Sequence, residues 1–267
     1  MIEPLVAPLA GGFTGTSRSW AHRVTACIAH LETPEPLRVC IELLRAQTER
    51  PYIIVVDTGS SLGTQAELAQ MRAADVEIHL VRGHSYRHAS EPVAVALDLA
   101  HARCHTEFLF HTHSDVFLQR FDFLSDLLAL CTAANPVVGY RMTERHHPDW
   151  KHMVGHTSLM LHMPTINRAG AQWSMQRAHD RYGIPWCTGK PGWPDTETGF
   201  NYDLWAAGIA PLFIEGQEKN FECFRDANIN HVRSYPGAKQ YSPAHFARAE
   251  IWMRQAMDEA RALLAAR

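Results

Sequence analysis

The chain has 267 residues, 46% of them apolar, with 25 basic and 28 acidic side chains and a net charge of -3. This length suits one large globular domain, and the near-neutral charge excludes nucleic acid as the main partner, because a phosphate backbone selects a basic face. No apolar run approaches the ~18 residues needed to span a bilayer and no secretory leader is legible, so the expected location is cytoplasmic, either free or peripheral at the inner face of a membrane.

Residues 1–21 are rich in Gly, Pro and Ser and read as an irregular lead-in. The first strand is the apolar run VTACIA, Val24 to Ala29, followed by Thr33 and Pro34 as the cap and first turn of a helix. That helix shows Leu37, Cys40, Ile41 and Leu44 on one face and stops near Gln47. A second strand, YIIVV, ends at Asp57. Thr64 and Glu67 have the spacing of a capping box for the next helix, which runs to about Met71, and VEIHLV is a third strand. Ser90 opens a helix with Val93, Leu97 and Ala100 on one side, and EFLFHTH is a fourth strand. This βα alternation predicts a parallel sheet.

After Asp115 the rhythm changes. FDFLSDLLALC is one more helix, but PVVGYRM and TSLMLHM are strand-like runs with no long helix between them, which predicts a mixed sheet. Residues 177–198 carry three prolines and three glycines and read as a long functional loop. A helix from about Thr198 to Ala207, a strand APLFI and an amphipathic helix from Ser242 complete the chain; the last carries Phe246, Ala249, Met253, Met257, Ala260 and Leu264 as one stripe. The expected organisation is a lead-in over 1–21, one domain over 22–241 with a nucleotide-binding half (22–130) and an acceptor-binding half (131–241), and a terminal helix over 242–267.

Ligands of open parallel sheets bind beyond the carboxyl ends of the strands, so the polar residues that follow each strand are the candidates. They are His30 and Glu32; Asp57 and the serines after it; Arg82 and, on the following loop, Arg87; and His113, Ser114 and Asp115. Asp57 before a Gly-Ser pair also suits an ordinary turn. Six cysteines lie far apart without a CxxC pair, so neither a thiolate zinc site nor a disulfide framework is expected.

The stretch RVTACIAHLETPEPLRVCIELLRAQTERPYIIVVDTGSS, followed by FLFHTHSDVFL, resembles the nucleotide-binding half of the family 2 glycosyltransferases of GT-A fold. The resemblance implies an α/β fold with a mixed, mainly parallel sheet flanked by helices. It implies metal-assisted transfer of a hexose from a UDP-, GDP- or dTDP-sugar to a hydroxyl of a glycan, lipid or small-molecule acceptor, with inversion. Asp57 matches the family's base-contacting acid, and His113-Ser114-Asp115 stands where the family has its DxD motif, which holds the ribose and a divalent ion, Mn2+ or Mg2+. The first carboxylate is here an imidazole, and a mixed His/Asp set still suits a borderline cation. His30, Glu32, Arg82, Arg87 and Ser114 are then nucleotide contacts, and His113, Asp115 and His231 metal ligands. WPDTETGFNYDLWAAG resembles the family's acidic motif at a helix start, which makes Glu197 or Asp195 the base that deprotonates the acceptor. Two alternatives remain open: a catalytically silent nucleotide- or sugar-binding domain, and a sugar nucleotidyltransferase, whose Gly-rich loop PLAGGFTGTSR resembles with altered spacing.

Overall fold

The computed structural model describes residues 5–8, 22–82, 86, 90–142, 148–185, 194–214, 223–232 and 243–267. Arg87 and the glycine-rich run 11–16 lie outside the described residues. Within the expected lead-in, Leu5–Pro8 is a strand, β1, paired antiparallel with Val76–Arg82 (β4). The parallel core consists of β4, Tyr52–Asp57 (β3), Val24–His30 (β2) and Phe108–His113 (β5), lying side by side in that order. Leu159–His162 (β8) then joins β5 antiparallel, Val137–Tyr140 (β7) joins β8 antiparallel, and Leu212–Ile214 (β9) joins β7 in parallel. The result is one mixed, mainly parallel sheet of eight strands in the order β1-β4-β3-β2-β5-β8-β7-β9.

Period-two alternation sends side chains to two cores. Val24, Ala26, Ile28, Ile53, Val55, Phe108 and Phe110 pack beneath helices Pro34–Arg45 (α1), Leu62–Gln70 (α2), Phe123–Leu130 (α4) and Pro243–Ala265 (α8). Cys27, Ala29, Ile54, Val56 and Leu109 face helices Glu91–Arg103 (α3), Met163–Ala169 (α5), Met175–Tyr182 (α6) and Thr196–Ala206 (α7). Strands buried on both faces hold few polar residues; His79 and His111 lie buried inside theirs, while His30, Asp57 and His113 close β2, β3 and β5 at the rim.

Immediately after β5 the chain leaves this sheet. Val116–Leu118 (β6) pairs instead with Ile229–Val232 (β11), which pairs with Cys223–Arg225 (β10), and the three form a second, antiparallel sheet. His113 is thus the last residue of β5 in the large sheet, Ser114 and Asp115 form the turn, and the small sheet begins at Val116. Helix α8 covers the small sheet with Met253, Ala256, Met257 and Ala260, all buried.

Several expectations are corrected. Helix α2 begins at Leu62, and its cap is Ser61, whose hydroxyl accepts the Thr64 N–H at 3.4 Å; Thr64 is one turn inside. Residues 175–182 are helical, so the expected loop is shorter than 177–198; Gly183, at φ 65, ends that helix in the left-handed conformation glycine permits. His231 lies inside β11 instead of after a strand. Trp173, by contrast, is ordinary core, fully buried and stacked on Phe200 at 4.0 Å.

Candidate active site

The parallel register brings the rim together. His30 sits opposite Asp57, and Ala29 opposite His113, so the ends of β3, β2 and β5 are adjacent. Two hydroxyls then join the loops: Thr33 Oγ1 and Ser114 Oγ are 2.6 Å apart. Thr33 occupies the N-cap position of α1 yet makes no side-chain cap bond, because its hydroxyl is turned to Ser114.

Asp57 is enclosed. Its Oδ1 accepts the N–H groups of Gly59 (3.2 Å) and Ser60 (3.1 Å), and its Oδ2 receives the Ser60 hydroxyl and His30 Nδ1, the latter at 2.9 Å. A carboxylate offers about four lone-pair sites, and all four are filled by the chain itself. Because His30 Nε2 accepts the Thr33 N–H at 3.2 Å, its proton is on Nδ1, and the ring is a neutral donor to Asp57. Burial alone would raise the Asp57 pKa, but the hydrogen bonds from His30 and Ser60 outweigh it and hold the carboxyl below its usual range. In this arrangement the Asp57 carboxylate builds its own turn, and His30 serves the same turn. Gly59, at φ +124, supplies the backbone that lets two successive N–H groups point at one oxygen.

Glu32 stands outside this knot. It is exposed, adopts φ 52, and bonds Ser61 and Thr64, the Thr64 hydroxyl at 2.7 Å. Ser60 Oγ accepts its N–H at 2.8 Å. Arg82 is exposed at the end of β4 and reaches Gln65 at 3.3 Å.

Across the rim lies a second cluster. The pairing of β11 with β6 sets His231 opposite Val116, and the Val232 N–H donates to the Asp115 carbonyl at 3.0 Å. His231 Nε2 consequently lies 3.6 Å from Asp115 Oδ1. Two ligands on ~2.1 Å bonds around one tetrahedral ion sit about 3.4 Å apart, so this pair has a suitable spacing for a shared cation. The His113 ring centroid is 6.1 Å from that of His231, and its buried Nε2 makes no hydrogen bond within the protein. Among the described residues, no three His, Cys, Asp or Glu side chains lie in a ligating arrangement, so the expected triad is brought near but not assembled. The donors present, one carboxylate and imidazole nitrogens, nonetheless fit a borderline divalent ion.

His113 also faces His156, ring to ring at 4.5 Å and 30°. His156 Nδ1 in turn meets Glu197 Oε1, and its backbone N–H approaches the same oxygen at 3.4 Å. Glu197 Oε2 is buried and has no hydrogen-bond partner among the described residues. Burial disfavours charge on either group, but the facing carboxylates of Glu197, Asp195 and Asp115 raise the His156 pKa, and the imidazole in turn lowers that of Glu197. Asp195 is shifted upward, first by burial and then by the Glu197 charge. Asp195 is the N-cap of α7: its carboxylate accepts the Thr196 N–H at 2.7 Å and its own N–H is taken by Thr198 Oγ1 at 2.9 Å. The two acids are therefore distinct, one a cap and one with a carboxylate oxygen to spare.

The non-glycine residues with positive φ among the described residues are Glu32 and Ser158, the latter at φ 55 and fully buried, and both flank this rim. Strained backbone of this kind persists where the surroundings over-determine it. The sequence reading gave His156 no part in holding the base and passed over Asn201, whose amide ties α7 to the His156 segment. Asn201 lies one turn from Glu197 on a helix whose buried residues also include Thr196, Thr198 and Asp203, so one more polar residue there gave no distinct signal.

No family model and no curated protein matches this chain. Solved structures do. S. aureus TarS aligns over 89% of this chain and 43% of its own at 10% identity, with a TM-score of 0.52. The mannosyltransferase PcManGT from Pyrobaculum calidifontis, solved with GDP-Man and Mn2+, aligns over 99% of this chain and 78% of its own at 14% identity and a TM-score of 0.47. TarS 1-349 with UDP-GlcNAc aligns over 57% of this chain and 48% of its own at 14% identity and a TM-score of 0.42. This chain spans less than half the length of the full TarS chain. The shared part is the mixed, mainly parallel sheet with its flanking helices, and in architecture this chain has the GT-A-type fold found in these glycosyltransferases.

Proposed function

We propose that this chain is a glycosyltransferase of the hexosyltransferase class, transferring a sugar from a UDP-, GDP- or dTDP-sugar to a hydroxyl of a glycan, lipid or small-molecule acceptor, with inversion. The observation that carries this reading is Glu197: a buried carboxylate with one oxygen bonded to His156 and the other unengaged, set through His156 and His113 beside the Asp115–His231 pair. A base and a cation-binding pair at one strand rim is the minimum that such a displacement requires.

In this mechanism Glu197 Oε2 takes the proton of the acceptor hydroxyl while that oxygen forms its bond to the anomeric carbon. The bond from the anomeric carbon to the diphosphate breaks on the opposite side, and the nucleoside diphosphate leaves with the electron pair. His156 lowers the pKa of Glu197 and so holds the base ionised, while the Asp195 carboxylate is engaged in capping α7 through the Thr196 N–H. Asp115 and His231, with His113 adjacent, would hold a Mn2+ or Mg2+ ion, which supplies positive charge to the departing diphosphate. The nucleoside end is assigned to the opposite part of the rim, with Glu32, Ser114 and Arg82, joined by Arg87, as contacts; His30 and Asp57 shape that seat from below.

The test is nucleoside diphosphate release from a panel of nucleotide sugars with Mn2+ and simple glycoside acceptors. Glu197→Gln should leave nucleoside diphosphate binding intact and lower transfer by ~10²- to 10⁴-fold. Loss of binding and transfer together would remove Glu197 from the base role. Pyrophosphate release from a nucleoside triphosphate and a sugar phosphate would replace this reading with a nucleotidyltransferase.

A further inference from the structure

Asn201 lies one helical turn beyond Glu197 on α7 and is fully buried. Its side-chain amide is nearly saturated. Oδ1 accepts the Val154 N–H at 3.0 Å, while the NH2 group donates to the Val154 carbonyl at 3.0 Å and to the Glu197 carbonyl at 2.9 Å. By meeting both the N–H and the C=O of Val154, the amide behaves like one residue of a neighbouring strand. Val154 is held from its other side by a bridge to Arg141, and Gly155 donates to the Tyr140 carbonyl at 2.9 Å, so the segment is fixed from two directions.

Two residues further on, the segment delivers His156. Its ring and its backbone N–H both address Glu197 Oε1. Ser158 at φ 55 then turns the chain into β8. A closed loop results, from Glu197 through its own carbonyl to Asn201, across to Val154, along the chain to His156 and back to the Glu197 carboxylate. Buried polar groups satisfied in this way specify one geometry, because any other leaves a buried donor or acceptor without a partner.

We propose that Asn201 and His156 are positioning residues for Glu197. Asn201 sets the separation between the α7 turn and segment 154–156, and His156 occupies Oε1, so that Oε2 is the one oxygen presented to an acceptor. The proposal rests on the base role of Glu197 proposed above, and it adds residues that no motif in the chain announces.

The test uses the full chain with Asn201→Asp, His156→Ala, His156→Asn and Glu197→Gln, and two readouts. Asn201→Asp keeps the acceptor for the Val154 N–H but sets an oxygen against two carbonyls, and His156→Asn restores a donor where Nδ1 stood. The first readout is proton NMR, in which an imidazole N–H held by a buried carboxylate resonates far downfield. Two such protons are expected in the wild-type chain, from His30 against Asp57 and from His156 against Glu197; the His156 signal is the one absent in both His156 variants and in Glu197→Gln, and it is lost or strongly shifted in Asn201→Asp. The second is kinetics: His156→Ala should lower kcat by ~100-fold with donor KM held within about twofold, and His156→Asn should recover roughly tenfold of that loss. A wild-type chain with no downfield proton that disappears in His156→Ala, an Asn201→Asp variant that retains that proton unshifted, or a His156→Ala variant that changes donor KM and not kcat would each overturn the proposal. A wild-type chain that shows the proton but transfers from no nucleotide sugar would overturn the glycosyltransferase reading instead, and the Asn201→Asp spectrum would still decide whether the clamp exists.

Discussion

His231 stands 3.6 Å from Asp115 because antiparallel pairing of β11 with β6 places it opposite Val116, next to the Asp115 carbonyl that receives the Val232 N–H. The pair is made by strand register between segments more than a hundred residues apart, not by proximity in the chain. Asp115→Asn and His231→Ala should therefore fold, yet lose metal-dependent ligand binding. A nucleoside diphosphate with Mn2+ at ~100 times its Kd should stabilise the wild-type chain by about 2.7 kcal/mol. Thermal shift should read close to zero for both variants, and an undiminished Mn2+-dependent shift in either would dissolve the assignment.

Asp57 has an expected stability effect that needs no ligand. Removing a buried carboxylate that organises His30, Gly59 and Ser60 should cost on the order of 3 kcal/mol, since it leaves several buried donors unpaired. Urea unfolding of Asp57→Ala without nucleotide measures this. An unchanged midpoint together with weakened nucleotide binding would restore the base-contact role. The same group fixes a pH direction: its folded pKa is depressed, so its contribution is present above the unfolded value of ~3.9 and disappears as pH falls through the lower folded value.

Asp98 acts with the opposite sign. Burial between α3 and the start of α6 pushes its pKa up to about 7, with the Trp173 N–H at 2.8 Å and the nearby Arg177 only partly offsetting this. Between about pH 4 and 7 the folded chain holds a proton that the unfolded chain has released, so stability declines as pH rises through that window. Asp98→Asn, which keeps an acceptor for Trp173, should flatten the decline, a difference of roughly 2 kcal/mol between pH 5 and 8. Parallel pH profiles for the two proteins would be the contrary result.

Gly199 is a case in which two magnitudes compete. Replacing a helix-interior glycine by alanine ordinarily stabilises by ~1 kcal/mol. Here the added Cβ would meet the Ala178 Cβ at 2.8 Å and the Ser174 carbonyl oxygen at 3.3 Å, where α6 crosses α7. Overpacking costs about 1–3 kcal/mol, so the clash should win and Gly199→Ala should lower the melting temperature. Its nearness to Glu197 makes a fall in transfer rate the accompanying effect. A variant more stable than wild type would mean that α6 yields without cost.

The parallel half was legible because strands covered on both faces appear as uninterrupted apolar runs, and YIIVVD or EFLFHTH can hardly be anything else. The small sheet was not, because β6, β10 and β11 are three or four residues long and hold together only through pairing between distant segments. Helix α6 was hidden by its own terminator: Gly183 reads as a loop breaker, although its left-handed backbone is the normal end of a helix. At the site, Asp57 and Asp115 stood out by their positions after strands, and Glu197 by the family resemblance of its motif. Which of them turns inward was not legible, since the four bonds that fill Asp57 come from the conformation of its own turn and from His30 across the sheet. Glu197 and Asp195, two residues apart with one chemistry, were separated only by the cap geometry of α7.

Ser114 is a seam. The two sheets of the molecule are stitched there, and the candidate donors for a cation fall on either side of the stitch. A ligand gripped from both sides would rivet one sheet to the other, and backbone amides of β6, β10 and β11 should then exchange with solvent more slowly than in the free chain, while those deep in β2 and β3 stay as they were. Recognition and local rigidity would thus be one event, seated where the chain crosses from one sheet to the next.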